Sequence, residues 1–185
     1  MEATRLSGAV NLAKPTDGDD VHLARCRAGE REAFGILLNR YRDSIINLAY
    51  QILHNHDDAE DAAQEAFVRA FSKLHSFRGE ARFLTWLYRI TINICLHRRR
   101  GRTHESYAET AEVSDADVEA QVTRKIMLED ALDNLPGPLR LTLILHELHG
   151  LSYQQIASIL DIPAGTVGSR LNEARRRVRI AWDAE

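Results

Sequence analysis

Between Gly101 and Thr123 the chain sets Glu105, Glu109, Glu112, Asp115, Asp117 and Glu119 among small residues, with scarcely any large apolar side chain to bury. Such a stretch cannot remove enough apolar surface from water to offset the entropy lost on ordering, so it reads as a disordered acidic linker. No single core can then run through all 185 residues. The expected organisation is a mobile N-terminal tail over 1–20, a domain over 21–101, a flexible linker over 102–123 and a second domain over 124–185.

A net charge of −3 and a hydrophobic fraction of 44% suit a soluble globular chain. The two cysteines, Cys26 and Cys95, lie far apart in helix-like patterns, and no pair has metal-ligand spacing, so no disulfide framework, zinc finger or cofactor is expected. Neither a signal peptide nor about eighteen successive apolar residues can be found, so the chain is expected in the cytoplasm without inserting in a membrane.

Phe34, Leu37, Tyr41, Ile45, Leu48 and Ile52 recur at steps of three and four, predicting a long amphipathic helix that ends near His54. Asp57 or Asp58 can cap the next, whose apolar repeat is Ala62, Ala66, Phe67, Ala70, Phe71 and Leu74. A third runs from Phe83 to Arg100 with a core stripe of Phe83, Leu87, Ile90 and Ile94. Its other face carries Trp86, Arg89, Asn93, His97 and Arg100, and a tryptophan there needs a reason. Beyond the linker, Leu128, Ala131, Leu132 and Leu135 form one stripe, and Pro136-Gly137-Pro138 breaks it. Leu141, Ile144, Leu145 and Leu148 form another, stopped at Gly150. No strand-like alternation occurs, so the fold is expected to be all-α.

The end of the chain, "GLSYQQIASILDIPAGTVGSRLNEARRRVR", concentrates arginine on a short helix pair. Ser152 and Gln155 make a capping box, Ala157 is small enough for a close helix crossing, and Asp161 and Ile162 make a tight turn. Pro163 suits the first turn of a final helix, which buries Val167, Leu171, Ala174 and Val178. This is the pattern of a helix-turn-helix, whose second helix enters the major groove of DNA. Thr166, Ser169, Arg170, Arg175, Arg176 and Arg177 lie off its core stripe and are of the types that bond phosphates and base edges.

That stretch closely resembles the promoter-binding domain of bacterial sigma factors of the extracytoplasmic-function type. "DDAEDAAQEAFVRAF" is similar to that family's polymerase-binding helix, and "FRGEARFLTWLYRITINICLHRRR" to its promoter-melting segment. The resemblance implies an alternative sigma factor, not an enzyme, that binds core RNA polymerase through the beta-prime clamp helices and the beta flap. It implies Asp61, Gln64 and Glu65 as the polymerase-binding residues, with dipole stabilisation as an added role for Asp61. Phe77, Arg78, Gly79 and Asn93 are implied as the pocket for a flipped base of the minus-ten element, and Trp86 as the residue at the duplex edge. Phe77 reads equally well as a core residue. Arg89, Arg98, Arg99, Arg100 and Arg102 are implied phosphate contacts, and the six residues of the last helix are implied to read the minus-thirty-five element.

An anti-sigma protein is a further partner implied by the resemblance, and the linker is implied to thread the polymerase channel that nucleic acid uses. About 23 extended residues span up to roughly 76 Å, enough for both domains to engage one promoter. Two departures stand out: Gly168 occupies a common lysine position, and Asp161 a usual turn glycine, where aspartate tolerates the left-handed region. His146 and His149 are three apart where a zinc-protease helix needs four, and are expected as exposed helix residues, with no metal site. A stand-alone helix-turn-helix regulator, or a module binding an acidic protein, would also keep the basic helix. Neither accounts for Trp86 and Asn93 beside "FRGEARF".

Overall fold

The computed structural model describes residues 18–79, 81–101, 132 and 134–183. The tail over 1–17, the linker over 102–123, Arg102 and the stripe positions Leu128 and Ala131 lie outside them. Among the described residues there are seven α-helices and no strand, in two units.

The first unit holds α1 (Asp19–Arg27), α2 (Arg31–Leu53), α3 (His56–Lys73), a 3-10 turn (Leu74–Ser76) and α4 (Phe83–Gly101). Asp19 and Asp20, expected in the tail, form the first turn of α1, with Arg25 and Arg27 in its last, charges placed to suit the helix dipole. Leu23 buries α1 against the unit, and Asp19 pins it to α2 by accepting from Tyr41 Oη and from Arg40 Nη1 at 2.5 Å. All six residues of the expected α2 stripe are buried.

The cap of α3 is Asn55 and neither of the aspartates expected there. His54 ends α2 in the left-handed region at φ 55°, which puts Asn55 in extended backbone, and Asn55 Oδ1 accepts from Asp58 N–H at 2.9 Å. Asp57 and Asp58 sit in the first turn instead. Ala59, Ala62, Ala63, Ala66 and Ala70 are all buried, so α3 meets its neighbours through side chains small enough for close packing. Phe71, expected in that stripe, is 41% exposed, because the buried face of α3 is the alanine face. On α4, Ile90 is only half-buried, and Leu84, Tyr88, Ile92 and Cys95 widen the core face. Burial raises the Tyr88 hydroxyl and the Cys95 thiol each to about 12.

The second unit holds α5 (Gly137–Leu143), a π-helical turn (Ile144–Leu148), α6 (Tyr153–Leu160) and α7 (Ala164–Asp183). Leu141, Ile144 and Leu145 are buried and Gly150 takes φ 63° at the stop, as the stripe predicts. The capping box closes both ways: Ser152 N–H donates to Gln155 Oε1 at 2.9 Å, and Gln155 N–H to Ser152 Oγ at 3.3 Å. Asp161 stands at φ 56°, left-handed as its place in the turn requires. Val167, Leu171 and Ala174 are fully covered while Val178 is half-buried. His149 is no exposed helix residue: it is 7% exposed, and burial lowers its imidazole to about 4. His146 is half-buried, its Nδ1 2.9 Å from Leu151 O and its ring edge-on to Tyr153.

Candidate functional site

Three faces carry the candidate residues. On α3, Asp61 and Gln64 are exposed, as a docking surface requires. Glu65 is not presented in the same way. Its carboxylate accepts from Arg98 Nη2 at 2.8 Å and pairs with Arg69, and these bonds hold it below the usual carboxylate range, Arg98 contributing most. Arg98 also donates to Asp58 O at 3.4 Å, so this arginine fastens α4 to α3. Beside Gln64 a groove of about 510 Å³ runs between α2 and α3, floored by Phe34, Leu38, Ile46 and Phe67. Val68, 69% exposed, and Phe71 stand at its edge. Exposed Phe and Val on a helix of otherwise clean periodicity were the only sequence signal for this groove, and the stripe reading placed Phe71 inside.

The second face is the loop after the 3-10 turn and the outward side of α4. Phe77 is 7% exposed, its ring centroid 5.9 Å edge-on from Phe83 and 5.0 Å from Trp86. It is therefore the support beneath Trp86 and not an open pocket wall, the core alternative for this residue. Arg78 and Gly79 are exposed, and Gly79 takes φ 77°, which glycine reaches without strain. Trp86 is half-buried with Arg89 and Asn93 exposed at steps of three and four along the same helix face. Arg99 and Arg100 are exposed in the last turn, where the helix dipole also favours cations. Sequence reasoning missed Arg27, the last residue of α1. Its Nη2 donates to Phe77 O at 2.5 Å, and its guanidinium carbon lies 5.9 Å from the Phe77 ring centre.

The third face is α7. Its amino end is closed by Pro163 O, which accepts from Thr166 N–H at 2.9 Å, and Ser169 Oγ donates to Thr166 O at 3.0 Å. Thr166 and Arg170 are half-buried; Ser169 and the three successive arginines are exposed. Each of those arginines has a carboxylate. Arg175 donates through Nε and Nη2 to Glu147 Oε1 at 3.0 and 2.7 Å, which raises its already high pKa. Arg176 and Arg177 both donate to Glu173, pulling that carboxyl down to about 2. Exposed pairs of this kind contribute little to stability and exchange readily for another anion. Asn172, also exposed, shares with Ser169 and Arg176 the face opposite Val167, Leu171 and Ala174, and asparagine suits adenine's paired donor and acceptor. Arg175 lies nearer the flank. An apolar groove of about 350 Å³, lined by Leu132, Leu143, Ile144, Leu148 and Trp182, adjoins the Glu147–Arg175 pair. Among the described residues no cluster of three or more His, Cys, Asp or Glu could hold a metal ion, and no helix is long and apolar enough to cross a membrane.

Family models match the chain as Sigma-70 region 2 over residues 37–105 and as Sigma-70, region 4 over residues 125–178. The RNA polymerase sigma-H factor of Pseudomonas aeruginosa is 35% identical over 176 residues, covering 86% of this chain and 91% of that one. The ECF RNA polymerase sigma-E factor of Escherichia coli K12 is 36% identical over 176 residues, covering 86% and 92%. Among solved structures, the sigma factor RpoE in complex with the anti-sigma factor NepR, from Bartonella quintana, superposes with TM-score 0.65 at 26% identity, covering 82% of this chain and 98% of that one. CnrH in complex with the cytosolic domain of CnrY shares the fold, with TM-score 0.73 at 24% identity, covering 91% and 99%.

Proposed function

The chain belongs to the extracytoplasmic-function group of the sigma-70 family, an alternative sigma factor that directs RNA polymerase to promoters, and from that premise we propose how its residues divide the task. Asp61 and Gln64 meet the beta-prime clamp helices of core polymerase, and the apolar groove beside them with Val68 and Phe71 supplies the buried area that polar contacts lack. Glu65 serves this surface from behind, by orienting Arg98 and Arg69. The groove with Trp182 takes the beta flap.

Strand opening falls to α4 and its preceding loop. A base leaves the duplex when the protein holds it at least as favourably as its stack did, and an aromatic ring offers roughly 1–3 kcal/mol per base. Trp86, raised on the buried Phe77, closes the edge of the duplex, while Arg78, Gly79 and Asn93 hold the extruded base. Arg89, Arg99 and Arg100 neutralise phosphates. On α7, Thr166, Ser169, Asn172 and Arg176 face the minus-thirty-five bases, with Arg170, Arg175 and Arg177 on the flanking phosphates. Exchange of Glu147 and Glu173 for phosphate frees those arginines as the complex forms. The chain acts in the cytoplasm by binding and not by catalysis of its own. An anti-sigma protein is a further partner, a reading supported by the similar RpoE, which was solved with its anti-sigma factor NepR.

The exposure of Asp61 and Gln64 beside a groove edged by Val68 carries the polymerase assignment. Gel filtration with bacterial core RNA polymerase tests it: the wild type is expected to co-elute, and Asp61→Arg with Val68→Glu to elute separately while keeping its melting temperature. Co-elution of that variant would place the docking surface elsewhere.

A further inference from the structure

The loop from Phe77 to Gly79 has no sheet partner and belongs to no α-helix, yet a residue that holds an extruded base must itself be held still. Its first residue is fixed from three sides. The Phe77 ring is locked between Phe83 and Trp86, its N–H donates to Leu74 O at 3.1 Å, and its carbonyl accepts from Arg27. The last contact crosses 50 positions of sequence and is partly buried. A charged donor on a neutral carbonyl is among the stronger hydrogen bonds, and the same guanidinium lies over the Phe77 ring.

Arg27 is in turn placed by α1, which is anchored at its other end by Asp19 on Tyr41 and Arg40 and in its middle by the buried Leu23. Gly29, at φ 98°, turns the chain directly after the helix, and Arg25 closes that turn on Glu30 at 2.8 Å. The arginine thus projects from a short rigid strut whose other end is bolted to the core of the unit.

We propose that Arg27 is a positioning residue for promoter opening: by holding the Phe77 carbonyl, it sets the direction in which Arg78 and Gly79 leave the core, and so makes α1 part of the strand-opening apparatus. This rests on the reading of Arg78 and Gly79 as part of the base-holding loop.

The test uses the chain assembled with bacterial core RNA polymerase. Its template is a duplex promoter selected from a randomised library by the wild-type holoenzyme, compared with the same promoter pre-opened across the minus-ten segment by non-complementary bases. Permanganate reactivity of thymines follows opening, and run-off transcription follows use of the pre-opened template. Arg27→Met is expected to slow duplex opening about tenfold, the scale of one lost charged hydrogen bond, and to use the pre-opened template as the wild type does. Arg27→Lys, which keeps a cation able to donate, is expected to recover most of the rate. Normal opening by Arg27→Met, or equal loss on both templates, overturns the proposal. Arg78→Ala runs beside it: slow opening by Arg78→Ala with normal opening by Arg27→Met sinks the positioning role alone, whereas normal opening by both sinks the reading of the loop itself.

Discussion

Glu173 holds Arg176 and Arg177 at once, so two of the arginines nearest the proposed DNA face reach a phosphate or base only by giving up a carboxylate. Glu173→Gln is expected to tighten binding to DNA of unrelated sequence and to steepen the dependence of log K on log salt by about one unit, read by fluorescence anisotropy across a salt series. An unchanged slope would mean that the carboxylate does not compete with DNA. His149 gives a second prediction. Its folded pKa, about 4, lies below the ordinary imidazole value of 6.5, so the unfolded chain binds more protons between those values. Stability of the second unit is therefore expected to fall as pH drops from about 6.5 to about 4, and His149→Leu to flatten that slope in thermal melts at pH 7 and 5.5. The kinds of residue at these sites were legible in the sequence, but their partners were not. Glu147 meets Arg175 across 28 positions and Glu65 meets Arg98 across 33, and such pairings exist only once separate helices pack. His149 looked like one more polar residue near a helix end for the same reason.

Helix ends are where α3 and α6 declare themselves. Asn55→Ala removes the acceptor for Asp58 N–H, and Ser152→Ala the one for Gln155 N–H; each is expected to cost about 1 kcal/mol in denaturant titration, the usual worth of such a cap. The box at Ser152 could be read directly because both partners lie within three residues. The cap at Asn55 could not, since it depends on His54 adopting the left-handed region at the end of the preceding helix. Stripes of large side chains located α2 with accuracy. They left α1 unnamed, where Leu23 is the one buried residue, placed Phe71 inside α3 where it is 41% exposed, and took in Leu148, only half-buried in the turn Ile144–Leu148, whose π-helical winding departs from a 3.6-residue period. On α7, a Cβ at Gly168 would lie 3.5 Å from the Tyr153 ring, an ordinary contact, so a side chain fits there. Gly168→Lys is expected to raise promoter affinity and to steepen the salt dependence by about one unit, while gaining up to about 1 kcal/mol of helix stability. A flat response to salt would show that this position faces away from phosphate.

At the scale of the molecule, each unit has its own buried set, centred on residues such as Leu48 and Leu87 in the first and Leu145 and Leu171 in the second. Leu48→Ala is expected to lower the calorimetric transition of the first unit and Leu171→Ala that of the second, each by about 2–5 kcal/mol in stability. One shared transition displaced by both would show a single cooperative body. A division into two bodies is legible as an expectation in the acidic stretch, whose composition offers scarcely any large apolar side chain to bury. How α1 closes the first unit is not, since one leucine and one aspartate do the closing. That closure also has a consequence in time. Every residue of α1 to α4 has been synthesised once Gly101 is added, and helical topologies fold within milliseconds of leaving the ribosome. At up to ~20 residues per second the ribosome needs at least about 4 s for the roughly 80 residues from Arg102 to the end of α7 at Asp183. For those seconds the nascent chain carries its proposed polymerase-docking face before the helix proposed to read DNA exists.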